Sequence, residues 1–215
     1  MECPEDYYAF YYRHGITQVS FSVDELEGAN KSSSFAGKHF KVAATAFLLS
    51  ILELAYRDSF PLHIREVERI AQKLAGVELS ENEQVEPWAA IVVAADGRIS
   101  TFSPEFMEMN APAYGNFAFG SIVDESLEEV GRSPAFLRAS REIAQGVEAC
   151  RKSCRYFSVC GGGSPVNKLS EAGDMKATET DFCRLTTQAS SDALMTFIER
   201  RSNTNPHFIR TAVLA

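Results

Sequence analysis

Four of the five cysteines of this chain lie in one segment, and their spacing constrains the fold more than any other feature. The pattern is C-x3-C-x5-C-x22-C, formed by Cys150, Cys154, Cys160 and Cys183. Thiolates are soft ligands that repel one another when crowded, so four of them gathered in this way usually hold zinc or an iron–sulfur cluster. The segment therefore predicts a metal centre with these four cysteines as its ligands.

The spacing bears on which metal the site would hold. Structural zinc usually takes two close cysteine pairs, whereas here three cysteines lie close together and the fourth follows much later. A three-plus-one layout suits a 4Fe-4S cluster, whose four corners need one thiolate each. The glycines at 161–163 allow the backbone to approach the sulfurs and to direct N–H groups toward them. Zinc, which would stabilise such a loop-rich region by ~10 kcal/mol or more, remains the alternative.

Charge and composition exclude several classes of partner. The net charge of -8 and the pI near 5.1 provide no basic stripe for nucleic acid. The chain opens without a cationic region followed by an apolar run, and no apolar run approaches the ~20 residues of a membrane helix. Five cysteines in such a chain fit poorly with a disulfide framework. We therefore expect a cytoplasmic protein without a membrane or nucleic-acid partner.

The first 80 residues predict an α/β arrangement that is rich in helices and poor in strands. The pattern indicates helices at 5–13, at 38–57 and from near Pro61 to Gly76, and one strand at 16–23. A single strand cannot form a sheet, so we expect it to pair with strands that this chain does not obviously contain. Residues 1–80 therefore look like a piece of a larger α/β domain.

The acidic stretch at 81–87 is the best candidate for a domain boundary. Beyond it, two strand-like runs at 88–94 and 98–103 flank the turn signal Asp96-Gly97, which predicts a β-hairpin. A helix at 135–149 then leads into Cys150, and a last helix covers 185–201. The chain thus divides into a domain at 1–80 and a domain at 81–215.

The cysteine segment resembles the SPASM region of radical S-adenosylmethionine (SAM) peptide maturases. In that family a C-x2-C-x5-C-x3-C cluster followed by a distal cysteine holds auxiliary 4Fe-4S clusters. The resemblance implies that Cys150, Cys154, Cys160 and Cys183 hold one such cluster. The family's fourth cysteine falls on Ser164, and the upstream hairpin cysteine is missing from TFSPEF. The resemblance therefore implies one auxiliary cluster and not two.

Further segments extend the resemblance over nearly the whole chain: CGGGSPVNKLSEAG, TETDFCRL, GNFAFGSIV and VSFSVDELEGANKSSS. They are similar to one subgroup, the maturases of glycine-rich-repeat peptides, which is associated with carbon–carbon crosslinks (cyclophanes) in ribosomally made peptides. The implied fold is the C-terminal remnant of a partial (β/α)6 radical SAM barrel over 1–80. A small α+β SPASM-type iron–sulfur domain with a β-hairpin would follow. The implied partner is a precursor peptide.

One departure from the family concerns catalysis. Radical SAM enzymes hold their catalytic cluster on C-x3-C-x2-C, and this motif does not occur here, where Cys3 stands alone. We therefore expect that this chain by itself cannot cleave SAM, and that SAM binds only in a complete enzyme with a separate or missing N-terminal half. The competing hypothesis is a non-catalytic module that binds a peptide or a partner and carries a structural zinc.

Five side chains are candidates for contacts with a substrate. Glu25, Glu27 and Asn30 follow the predicted strand, at the end where α/β domains bind ligands. Arg65 lies near a predicted helix start, and Glu105 lies beside the hairpin. Each of them has the alternative interpretation of a solvated or purely structural side chain.

Overall fold

The computed structural model describes residues 3–35, 40–77 and 82–204. The chain forms two compact units, each discontinuous in sequence. The first comprises Met1–Val23, Phe35–Leu79 and Cys183–Ala215, and the second comprises Asp24–Ser34 and Ser80–Phe182. The predicted division between residues 80 and 81 stays a prediction.

The elements of the described chain follow one another in this order: α1 (Pro4–His14), β1 (Gln18–Val19), α2 (Phe40–Arg57), β2 (His63–Ile64), α3 (Arg65–Leu74), β3 (Ile91–Val93), β4 (Arg98–Thr101), two 3-10 segments (Pro104–Glu108 and Pro112–Phe117), β5 (Gly120–Ser121), α4 (Leu127–Val130), α5 (Pro134–Ser153), α6 (Phe157–Cys160), α7 (Pro165–Ala172), α8 (Asp181–Cys183), a π-helical turn (Arg184–Gln188) and α9 (Ala189–Thr204). The protein is thus a mixed α/β molecule with small sheets. No helix in the part of the chain described above is long and apolar enough to cross a membrane.

The first unit is built mainly from helices. Helix α1 starts with Pro4 in its first turn and ends at Gly15, whose left-handed backbone closes it. The predicted helix at 5–13 is therefore confirmed. Helix α2 buries Phe47, Leu48 and Ile51 against its neighbours, as the predicted apolar stripe requires. The first two residues of the predicted helix at 38–57 lie outside the described residues.

The predicted single strand finds a partner within the chain. Strand β1 is only two residues long, and it pairs in parallel with β2 through Gln18 with His63 and Val19 with Ile64. We expected a partner strand that the chain does not obviously contain, and the structure places one within the chain, at His63–Ile64. The predicted helix start near Pro61 is wrong, because buried Ile64 keeps an extended backbone and α3 begins only at Arg65.

The second unit contains a three-stranded antiparallel sheet in the order β3-β4-β5. The turn at Asp96-Gly97 joins β3 and β4, so the predicted hairpin is confirmed, although its strands are shorter than predicted. Strand β5 was not predicted, and it pairs through Arg98 with Ser121 and Ile99 with Gly120. Its two residues are too few to produce a period-2 pattern in the sequence.

Aromatic rings fill the core of the second unit. The rings of Phe106 and Phe117 stack with centroids 4.0 Å apart, and the rings of Trp88 and Phe136 stack at 4.9 Å. Phe136 lies in the first turn of α5, where the Ser133 hydroxyl accepts a hydrogen bond from its backbone N–H at 3.3 Å. This packing fixes the helix that carries Cys150 in its last turn.

Candidate metal centre

Three cysteines of the second unit lie around the end of α5. Cys150 is buried in the last turn of that helix, and Cys154 caps it by donating its backbone N–H to the Cys150 carbonyl at 2.8 Å. Cys160 ends the short helix α6. Local helix geometry therefore positions all three thiols within one stretch of backbone.

The glycines that follow Cys160 permit the backbone to pass close to Cys150. Gly161, Gly162 and Gly163 have φ values of 65°, 113° and 74°, a region that other residues rarely adopt. A Cβ on Gly162 would lie 2.9 Å from Val147 Cγ2, so a side chain does not fit there. The Gly162 carbonyl oxygen lies 3.6 Å from Cys150 Sγ, and the Thr178 carbonyl oxygen lies 3.5 Å from it.

A lysine reaches the same sulfur from α7. The Ser164 hydroxyl caps this helix by accepting a hydrogen bond from Asn167 N–H at 3.4 Å. Lys168, one turn into the helix, is only 4% exposed, and its Nζ lies 3.4 Å from Cys150 Sγ. Gly146 leaves space for the ammonium group, because a Cβ there would lie 3.2 Å from Nζ and would overlap the Met175 carbonyl oxygen.

Burial and neighbouring thiols set the ionisation of Cys150. Burial raises the pKa of its thiol above the usual value, and the nearby Cys160 and Cys154 thiols raise the pKa further. The Lys168 ammonium opposes this shift and lowers the pKa. The charges that act on the Cys150 thiol thus come from Lys168, Cys160 and Cys154.

Cys183 belongs to the first unit. Within that unit, the Gln188 amide donates to Cys183 Sγ at 3.6 Å, and Gln188 lies in the π-helical turn before α9. Cys150, Cys154 and Cys160 belong to the second unit. The assignment of all four cysteines as metal ligands stays a prediction.

The donor set fits a thiophilic metal in its chemistry. Among the residues that the structure describes, no three His, Cys, Asp or Glu side chains stand in the arrangement of metal ligands. Lys168 nevertheless places a buried ammonium beside the Cys150 thiol. A buried cation is costly unless a negative charge faces it, and metal-bound thiolates supply that charge.

Three of the predicted substrate-binding carboxylates lie together in the second unit. Burial and the neighbouring Glu25 and Glu105 carboxylates raise the pKa of Glu27 to about 7. Burial also raises the pKa of Glu25. The hydrogen bond from Asn167 lowers this pKa, whereas the charges of Glu105 and Glu171 raise it. We call Glu25, Glu27 and Glu105 the acidic cluster.

The two other predicted side chains do not join the acidic cluster through the described contacts. The Asn30 amide donates to Asp24 Oδ1 at 2.9 Å and to the Glu25 carbonyl at 2.6 Å, so it holds the shape of its own loop. Arg65 lies in the first unit, is largely exposed, and pairs with Glu66 at 3.0 Å.

Sequence reasoning missed two polar side chains of this region, Asn167 and Lys168. Asn167 is 1% exposed, and its amide donates to Glu25 Oε2 at 2.8 Å and to the Leu26 carbonyl at 3.2 Å. The available signal was the Asn-Lys pair that follows the Ser164-Pro165 helix start. Asn167 faces the loop of the acidic cluster, whereas Lys168 faces Cys150.

The first unit contains a cavity of about 190 Å³ that the sequence did not indicate. Aromatic rings form much of its wall, and the π-helical turn contributes to another part. Its lining includes Tyr7, Phe21, Phe35, Phe47, Glu66 and Thr186. The Glu66 carboxylate accepts hydrogen bonds from Ser20 at 2.5 Å and from the Phe21 N–H at 3.3 Å.

No family model matches the chain. The uncharacterized protein sll1766 of Synechocystis sp. is 30% identical over 200 residues, which cover 93% of this chain and 50% of that protein. The chain therefore spans about half the length of the curated relative that it matches.

Solved structures give a likeness in fold. The structure of native anSMEcpe with bound AdoMet and Kp18Cys peptide matches with a TM-score of 0.59 at 16% identity, over 94% of this chain and 54% of anSMEcpe. A polyhistidine-tagged form of anSMEcpe with bound AdoMet matches with a TM-score of 0.57 at 16% identity, over 98% and 55%. The chain thus has a mixed α/β fold similar to about half of anSMEcpe.

Proposed function

We propose that this chain is the C-terminal part of a radical SAM/SPASM maturase that modifies a ribosomally made peptide. The modification proposed is a carbon–carbon crosslink of the cyclophane type. The chain would bind one auxiliary 4Fe-4S cluster through Cys150, Cys154, Cys160 and Cys183. In this proposal residues 1–80 are the end of a partial barrel, and residues 81–215 are the SPASM-type domain.

One observation carries the proposal: the fold is similar to about half of a protein that binds AdoMet and a peptide. The match covers 94% of this chain, and the segments that resemble SPASM maturases extend over nearly the whole chain. The positions of Cys150 in the last turn of α5, of Cys154 at its end and of Cys160 at the end of α6 also support the site. The buried Lys168 beside Cys150 supports a site with negative charge.

The residues have different roles in this proposal. The four cysteines would supply thiolates, and the cluster, when bound, would supply a centre that can accept an electron. The acidic cluster of Glu25, Glu27 and Glu105 would contact the precursor peptide. Because the pKa of Glu27 is about 7, its carboxyl group is half-protonated near neutral pH and can both accept and donate hydrogen bonds. Asn30 and Arg65 would make secondary contacts with the peptide.

Anaerobic purification of the 215-residue chain tests the cofactor. We expect a brown protein with about four iron and four sulfide ions per chain, because one cubane fills four thiolate positions. A colourless protein with one zinc ion would contradict the cluster. It would instead favour the second candidate, a non-catalytic module that binds a peptide or a partner.

One observation favours the second candidate, the non-catalytic module. The C-x3-C-x2-C motif of radical SAM enzymes does not occur in these 215 residues. In our proposal, SAM cleavage requires an N-terminal half that carries this motif, either missing from these 215 residues or separately encoded. The chain alone, mixed with SAM and a strong reductant, should yield no 5′-deoxyadenosine. A search of all reading frames upstream of the gene should find a barrel half with the motif. Its absence would favour the non-catalytic module.

A further inference from the structure

The most unusual charge in the second unit is the ammonium group of Lys168. Its side chain is 4% exposed, and its Nζ donates to Cys150 Sγ at 3.4 Å. Among the residues that the structure describes, Cys150 is the hydrogen-bond partner of this ammonium, and no carboxylate forms an ion pair with it. Lysine is rarely buried without a paired charge. The burial of Lys168 beside a cysteine therefore suggests that the cysteine site carries negative charge.

The protein provides a fitted slot for this side chain. Gly146 lies on α5, one turn before Cys150, and a Cβ there would approach Lys168 Nζ to 3.2 Å. The Ser164 cap sets the start of α7, and the Lys168 N–H donates to the Ser164 carbonyl at 3.2 Å. Gly146 and the Ser164 cap thus direct one ammonium group at one sulfur.

We propose that Lys168 is the counter-charge of the cysteine site, and this inference rests on the proposed metal centre. Four thiolates around zinc or around an oxidised 4Fe-4S cluster leave net negative charge, and Cys150 is buried. The Lys168 ammonium offsets part of that charge and donates a hydrogen bond to a ligand sulfur. Lys168 is therefore a positioning residue with two effects: it slows metal loss, and it raises the reduction potential of a bound cluster.

The direction of the second effect follows from charge. Reduction adds an electron to the cluster, so a fixed positive charge nearby stabilises the reduced state more than the oxidised state. Lys168→Met keeps the apolar stem and removes the charge. We expect the reduction potential of the cluster in this variant to fall by about 59 mV. For one electron, this fall shifts the equilibrium about tenfold toward the oxidised state. A reductive titration of the iron-loaded chain, followed by electron paramagnetic resonance, measures this shift.

Metal retention is the second readout. The chain is loaded anaerobically with iron and sulfide, and separately with Zn²⁺, and the rate of metal release to a chelator is measured for both forms. We expect Lys168→Met to lose either metal about tenfold faster, because an unmatched negative charge destabilises the bound state. Lys152→Met is the matched control, since it removes one positive charge from an exposed side chain near the same cysteines. It should change neither readout.

The outcomes separate this inference from the proposed function. Normal cluster loading with an unchanged potential and release rate in Lys168→Met overturns the role of Lys168 and leaves the cluster standing. Zinc binding without cluster formation, together with faster zinc release in the variant, supports Lys168 and contradicts the cluster. Failure of the wild-type chain to hold either metal overturns both. Circular dichroism of Lys168→Met and Lys168→Gln checks folding, and if Met misfolds the Gln variant carries the same comparison.

Discussion

At Glu27, burial and two neighbouring carboxylates act in the same direction. They raise the pKa of this side chain from 4.5 to about 7. A raised folded-state pKa means that the folded protein holds the proton more tightly than the unfolded chain. The contribution of Glu27 to stability is therefore fully present below pH 4.5, and it declines as the pH rises toward about 7.

Glu27→Gln should remove this pH dependence, because glutamine cannot ionise. We expect the variant to be more stable than the wild type at pH 8 by about 1 kcal/mol, allowing for screening of a partly exposed group, and to differ little at pH 4. Urea unfolding at both pH values measures the difference. Glu83→Gln, an exposed carboxylate outside the acidic cluster, is the control. An equal gain for both variants would contradict a local effect at Glu27.

Gly146 is a second residue whose effect can be predicted from its surroundings. A Cβ at this position overlaps the Met175 carbonyl oxygen and crowds Lys168 Nζ. Gly146→Ala should therefore destabilise the chain by about 1–3 kcal/mol, despite the better helix propensity of alanine. Thermal unfolding measures this loss. Gln145→Ala, at an exposed neighbouring position on the same helix, should cause little change.

Among the elements, α5 connects the aromatic core with the cysteine site. Phe136, Ala139 and Ile143 pack its face into the core, and Cys150 follows in the last turn. The sequence predicted this helix and its cysteine because apolar spacing and a Ser-Pro start are local signals. It did not predict the partner of β1, since the pairing of two-residue strands 45 positions apart depends on the folded chain.

The first turn of α5 gives a prediction at this scale. The Ser133 hydroxyl accepts the Phe136 N–H, so Ser133→Ala leaves that donor without its cap. We expect a loss of about 1 kcal/mol in the free energy of unfolding, measured by urea denaturation. Ser133→Asp should retain most of the stability because its carboxylate can accept the same hydrogen bond. If aspartate were as damaging as alanine, the cap would not be the cause.

For the whole molecule, the sequence specified the chemistry of the candidate site better than its surroundings. The cysteine spacing predicted a metal centre, which stays a prediction, and three of the four cysteines belong to the second unit. The lysine beside them could not be predicted, because a buried lysine and an exposed lysine look alike in one sequence. The carboxylates Glu25 and Glu105 are 80 positions apart, and only the fold brings them together.

The ligand set itself yields the last prediction. If Cys183 is the fourth ligand, Cys183→Ser should prevent a stable 4Fe-4S cluster, since one iron would lack its thiolate. Iron and sulfide contents after anaerobic loading should fall far below those of the wild type. Cys3→Ser is the matched control, because Cys3 is exposed and lies outside the cysteine segment, and it should load normally. Full loading of Cys183→Ser would assign the fourth position to another group, whereas loss in Cys150→Ser, Cys154→Ser and Cys160→Ser would still define three ligands.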